Sequence, residues 1–211
     1  MEKEDNKQNY YETTWNVNWD IKNIMLRIAG IIPDGVVNAP GGISYTIFAQ
    51  GCPHQCPGCH NPETHDYEGG EAWTVAQLIE DIKNYPLSKR VTFTGGDPFF
   101  QPDEFWCLGR ELKNKRYTLV AYSGYYFEEL YQNPKHKALL ELLDILIDGP
   151  FIQSQKYRWL NFRGSSNQRI LDVKASISRG MLVHLPKYYE GALPETKRPN
   201  SEIGPWLEGN R

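Results

Sequence analysis

Three of the chain's four cysteines fall within eight residues, as Cys52, Cys56 and Cys59 of the loop Gly51-Cys-Pro-His-Gln-Cys-Pro-Gly-Cys-His60. A secreted disulfide framework spreads its cysteines to staple distant segments, so this clustering points to metal binding or redox chemistry. Thiolates are soft ligands that suit iron–sulfur clusters, zinc or Cu(I). In the spacing C-x3-C-x2-C they can hold three corners of a cubane cluster and leave the fourth iron open to a substrate. A structural zinc site completed by His54, His60 or His65 is the alternative. Zinc knuckles usually carry paired C-x2-C motifs, and no second pair occurs here. A redox pair at Cys56 and Cys59 leaves Cys52 without a task. Cys107 sits in a stretch that reads as a helix and is expected to be a small buried residue.

The cysteine loop directly follows an alternating, β-branched segment, residues 43–49, which reads as a strand. Further strands are predicted at 90–94, 117–122, 144–148 and 168–172, with an extended lead-in over 24–37. Helical spacing begins after Thr74, at Pro102 and at Phe127, the last with a break near Asn133-Pro134. Strands alternating with helices predict an α/β fold with a mainly parallel sheet of about five to six strands. Residues 21–185 form the expected domain, between a polar arm (1–20) and a tail (186–211).

Several predicted strands end in small or polar residues: Gly51-Cys52, Gly95-Gly96-Asp97, Ser123-Gly124 and Asp148-Gly149. Ligands of parallel sheets bind at the C-terminal strand ends, so these residues mark the expected site. Gly95 and Gly96 would let backbone approach a ligand closely. Asp97 could accept a hydrogen bond from a cationic amino group, through its side chain or its backbone. The same Gly-Gly-Asp-Pro sequence also makes an ordinary turn.

The formal charge is −3 with both signs interspersed, which suggests neither a nucleic-acid nor a membrane surface. With no long apolar run and no signal-peptide core, the expected location is the cytoplasm. Trp15, Trp19 and Trp206 could anchor a protein interface, where tryptophan is enriched.

The cysteine loop followed by Thr94-Gly-Gly-Asp-Pro98 resembles the radical SAM superfamily. Residues 48–64, 146–151 and Phe162-Arg-Gly-Ser-Ser-Asn-Gln-Arg169 resemble, more narrowly, the activase family of anaerobic ribonucleoside-triphosphate reductase. The likeness runs from about Leu26 to Asp172. It departs at Val37-Asn-Ala-Pro-Gly-Gly42, where such activases often carry an aspartate, and it excludes the arm and tail.

The resemblance implies a partial (β/α) barrel. It implies a [4Fe–4S] cluster on Cys52, Cys56 and Cys59, whose open iron chelates S-adenosylmethionine, and reductive cleavage to a 5′-deoxyadenosyl radical. Gly58, Cys59 and His60 would then lie near the adenine, Ser123 near the ribose, and Gly95, Gly96 and Asp97 near the methionyl amino group. No separate catalytic side chain is implied. The implied partners are the glycyl-radical subunit of the reductase and a flavodoxin or ferredoxin donor. A different glycyl-radical activase or a deazaguanine synthase is an alternative within the superfamily, and a zinc-binding interaction module one outside it.

Overall fold

Alternation along each strand sorts side chains onto two faces, and pairing of the strands then builds the sheet. The computed structural model describes residues 20–36, 39–189 and 202–205. Most of the polar arm lies outside them, as do Trp15, Trp19, Trp206 and the Val37-Asn38 departure. Seven strands form one sheet: β1 (Met25–Gly35), β2 (Ser44–Ala49), β3 (Glu71–Thr74), β4 (Arg90–Gly95), β5 (Thr118–Tyr122), β6 (Ile145–Asp148) and β7 (Arg169–Asp172). Their order is β3-β1-β2-β4-β5-β6-β7.

The expectation of a mainly parallel sheet of five to six strands is corrected here to a mixed sheet of seven. Strands β2, β4, β5 and β6 run parallel, whereas β1, β3 and β7 join antiparallel. The connections explain the difference. Parallel neighbours need a crossover, and helices α1 (Val75–Lys83), α2 (Pro102–Asn114), α3 (Phe127–Gln132) and α4 (Pro134–Leu142) lie in those segments. Among the described residues no α-helix separates β1 from β2 or β6 from β7, and the chain returns antiparallel. The four-residue β3 escapes a pattern-based reading because Glu71-Ala-Trp-Thr74 buries none of its residues fully and so carries no apolar run, unlike the equally short β6. Beyond β7 come α5 (Val173–Arg179) and β8 (Met181–Val183). In the expected tail, β9 (Glu202–Pro205) pairs with β8, and Tyr189 is buried.

Helices cover one face of the sheet. Their apolar sides meet Tyr45, Ile47, Val91, Phe93, Leu119, Ala121 and Leu146 in the main core. Alternate positions place Ser44, Thr46, Thr92, Val120, Ile147 and Ile170 on the opposite face. Part of that face is polar: Ser44 and Thr92 are buried and their hydroxyls lie 2.7 Å apart. Local chemistry fixes the helix ends. Thr74 and Gln77 form a reciprocal capping box on α1, and Asn133 caps α4 ahead of Pro134. Among the described residues no helix is long and apolar enough to cross a membrane.

Candidate functional site

The parallel strands deliver their C-terminal ends to one edge, where a cavity of about 530 Å³ opens. Each strand contributes the residues that follow it: Cys52 after β2, Gly95 and Gly96 at β4, Ser123 and Gly124 after β5, Gly149 after β6. Cys56, Cys59 and His60 complete that side. Of the predicted residues, Gly58 and Asp97 do not line the cavity. Gly58, with φ 73°, lies against Gln153, and Asp97 is fully buried behind the wall.

All three loop cysteines are free thiols, and Asn61 N–H points at the Cys59 Sγ (3.4 Å). Burial pushes the Cys52 thiol up to about 11 and raises Cys56 as well. Among the described residues no three Cys, His, Asp or Glu side chains converge on a single ion. His54, one candidate for a zinc set, is tied to Asp97, and His60 packs on Phe151 with ring centroids 5.1 Å apart. Thiolates on a cubane bind different irons and need not converge on one point. His65, the third candidate for a zinc set, also lines the cavity, and its buried Nε2 has no hydrogen-bond partner among the described residues. Cys107 lies fully buried in the main core, as expected.

The Gly-Gly-Asp turn shapes the loop from behind. A Cβ on Gly96 would stand 2.3 Å from the Gly51 carbonyl oxygen and 3.0 Å from that of Thr64. Two backbone bonds fasten the same junction, Asp97 N–H to Gly51 O (2.9 Å) and Gly51 N–H to Thr64 O (2.8 Å). The glycine pair therefore serves the approach of the cysteine loop as well as lining the cavity. The Asp97 carboxylate accepts from Phe99 N–H (2.9 Å), Gly124 N–H (2.9 Å), the Ser123 hydroxyl (3.0 Å) and the His54 ring (3.1 Å). Protein donors fill it, and Gly95 and Gly96 are the residues of this turn that line the cavity.

The connection between β6 and β7 adds Gly149, Phe151, Phe162, Arg163, Gly164 and Gln168 to the lining, with Phe151 against His60 of the cysteine loop. Asp148, at the end of β6, is fully buried and bound to Arg169, which also holds Glu128. The sequence reading gave Tyr122, Asn61 and Phe162 no role, yet all three line the cavity. Tyr122 was recoverable, since it shares the parity of Val120 and precedes the predicted Ser123. Phe162 carried no such signal, because its placement depends on how a long loop folds back.

Residues 37–171 match the family described as "4Fe-4S single cluster domain". Three curated relatives are named anaerobic ribonucleoside-triphosphate reductase-activating protein. That of Escherichia coli K12 is 34% identical over 146 residues, covering 64% of this chain and 92% of the relative. That of Vibrio cholerae is 36% identical, with 65% and 92% covered. That of Enterobacteria phage T4 is 31% identical over 151 residues, with 66% and 90% covered. Among solved structures, QueE from Escherichia coli aligns with a TM-score of 0.42 and 16% identity, covering 48% of this chain and 53% of that one. The cysteine loop, its glycine turn and the 163–169 segment all lie within the matched span, and the chain belongs to the 4Fe-4S family of anaerobic ribonucleoside-triphosphate reductase-activating proteins.

Proposed function

We propose that this protein is the radical SAM activase that installs a glycyl radical on anaerobic ribonucleoside-triphosphate reductase. The observation that carries the reading is the cavity itself. It gathers three free thiols, but no fourth cysteine, at the C-terminal ends of parallel strands, and its lining contains no aspartate or glutamate. Such a set can hold a [4Fe–4S] cluster and leave one iron for a ligand.

Cys52, Cys56 and Cys59 hold the cluster. A cluster held there would supply the one-electron reduction of S-adenosylmethionine by which a glycine of the reductase would lose its α-hydrogen. The backbone of Gly95 and Gly96 receives the methionyl end. Ser123 would lie on the ribose side and Cys59 and His60 on the adenine side, with Gly58 shaping the loop from outside the lining. Asp97 acts from behind, by fixing the turn. Phe48, Phe151 and Phe162 keep water from the cavity, which a radical step requires. A sheet with β3 and β7 at its edges would serve as the partial barrel of the superfamily. The electron comes from a flavodoxin or ferredoxin in the cytoplasm.

The test is anaerobic reconstitution. The expected protein holds about four irons with matching sulfide. It forms methionine from S-adenosylmethionine under reduction and gives the reductase a glycyl doublet in electron paramagnetic resonance. A colourless, zinc-only protein would refute the cluster. Methionine formation without the doublet would refute the partner.

A further inference from the structure

The polar side chains of the segment Arg163-Gly-Ser-Ser-Asn-Gln-Arg169 are largely paired, within the segment and with its neighbours. Gln168 Oε1 accepts from Gly164 N–H (2.7 Å) and its amide donates to Gly149 O (2.9 Å). Asn167 donates to Pro150 O (2.8 Å), and Ser165 to Asn167 (2.6 Å). Arg169 has two carboxylates, Asp148 and Glu128, which raise its already high basicity.

Arg163 is the exception. It is 7% exposed, yet among the described residues its Nε and Nη2 have no hydrogen-bond partner. Nη1 makes one long bond to Gln168 O (3.3 Å), and the guanidinium lies 4.2 Å from the Tyr189 ring centroid. Burial lowers its proton affinity and no carboxylate counters that. A buried cation with two idle donors is costly, and that cost disappears once an anion accepts from them. Nε and Nη2 form one edge of the guanidinium, the fork that matches a carboxylate in bidentate fashion. Arg163 already lines the cavity of the cysteines, where no acidic side chain competes for it.

We propose that Arg163 is a carboxylate-binding residue, whose idle Nε–Nη2 edge turns from the Tyr189 side into the cavity when a ligand enters. The carboxylate is that of the amino-acid portion of S-adenosylmethionine, so the inference rests on the cofactor reading above. Tyr189 holds the guanidinium in its resting place. The tyrosine hydroxyl is itself fixed by Ile170 N–H (2.6 Å) and His184 Nδ1 (3.1 Å).

The experiment measures binding to the cluster-loaded protein under anaerobic conditions by equilibrium dialysis. Two ligands are compared: S-adenosylmethionine and its decarboxylated form, which keeps the sulfonium and the adenosine. Arg163→Gln is expected to weaken S-adenosylmethionine about 10- to 100-fold, and the decarboxylated ligand by less than about two-fold, as loss of a charge-assisted bond predicts. Arg163→Lys, which keeps the cation and guards against misfolding of the glutamine variant, recovers only part of the preference. Equal weakening of both ligands, or none, overturns the proposal. A shifted cluster potential with an unchanged ligand ratio also overturns it, since Arg163 would then balance cluster charge. If the unsubstituted protein binds neither ligand, the cofactor reading fails and this inference with it. If it binds both and only the ratio is insensitive to Arg163, the cofactor reading stands without it.

Discussion

His54 Nε2 lies 3.1 Å from Asp97 Oδ2, and this contact joins the middle of the cysteine loop to the turn after β4. Asp97 is fully buried and holds Ser123 and Gly124 at the end of β5 through the same carboxylate. One side chain thereby locks three segments that border the cavity.

Replacing Asp97 with alanine leaves the Phe99 and Gly124 amides, the Ser123 hydroxyl and the His54 ring without this acceptor. A loss of about 2–4 kcal/mol is expected in urea unfolding of the anaerobic protein, given the penalty for unpaired buried donors. Iron content should fall with it. Asp97→Asn, which keeps one acceptor oxygen, should lie between alanine and the parent.

Two glycines are required by close approach. Gly96→Ala brings a methyl to 2.3 Å from the Gly51 carbonyl oxygen, a backbone atom that cannot step aside without moving Cys52. Reconstituted iron is expected to drop strongly. Gly124→Ala meets the His54 ring at 2.3 Å, and a side chain can be removed. The double variant Gly124→Ala, His54→Ala should therefore recover stability relative to additivity in a double-mutant cycle.

The cysteines divide cleanly. Alanine at Cys52, Cys56 or Cys59 should abolish the visible absorption of the reconstituted cluster. Cys107→Ala should keep iron and colour, and lower the unfolding midpoint by an amount matching about 1 kcal/mol of lost core packing.

Arg169 bridges Glu128 and the buried Asp148. Arg169→Met leaves Asp148 as an uncompensated buried charge and should destabilise the protein by about 3–5 kcal/mol. The double variant Arg169→Met, Asp148→Leu should regain much of that loss, as measured by chemical denaturation.

His184 is 3% exposed, and burial together with the nearby Arg169 and Arg163 charges lowers its pKa from 6.5 to about 4. The folded protein therefore keeps it neutral where the unfolded chain takes a proton. Its contribution to stability is full above pH 6.5 and is lost as the pH falls toward 4. By pH 5 the loss is about 2 kcal/mol. The parent should lose more stability than His184→Gln between pH 7 and 5, in parallel urea titrations.

The sequence by itself determined the local elements. Strands β2, β4, β5 and β6, the Thr74 cap and the break at Asn133 all follow from period-two alternation and turn chemistry carried by neighbouring residues. The C-x3-C-x2-C spacing and the small residues at the strand ends likewise marked one edge of the sheet as the site.

Tertiary structure decided what those residues face. The antiparallel docking of β1, β3 and β7 depends on connections that lack a crossover helix, and β3 lacks the buried apolar run that marks the equally short β6. Asp97 meets His54 across 43 positions of sequence, so nothing local distinguishes a carboxylate aimed at a ligand from one consumed by protein donors. Arg163 and Arg169 close the same short segment, yet Arg169 pairs with two carboxylates, while Arg163 has two donors with no partner among the described residues. The physical reason is common to these cases. Backbone pattern is set by near neighbours, whereas the partner of a polar group is set by which donors and acceptors the assembled fold buries beside it.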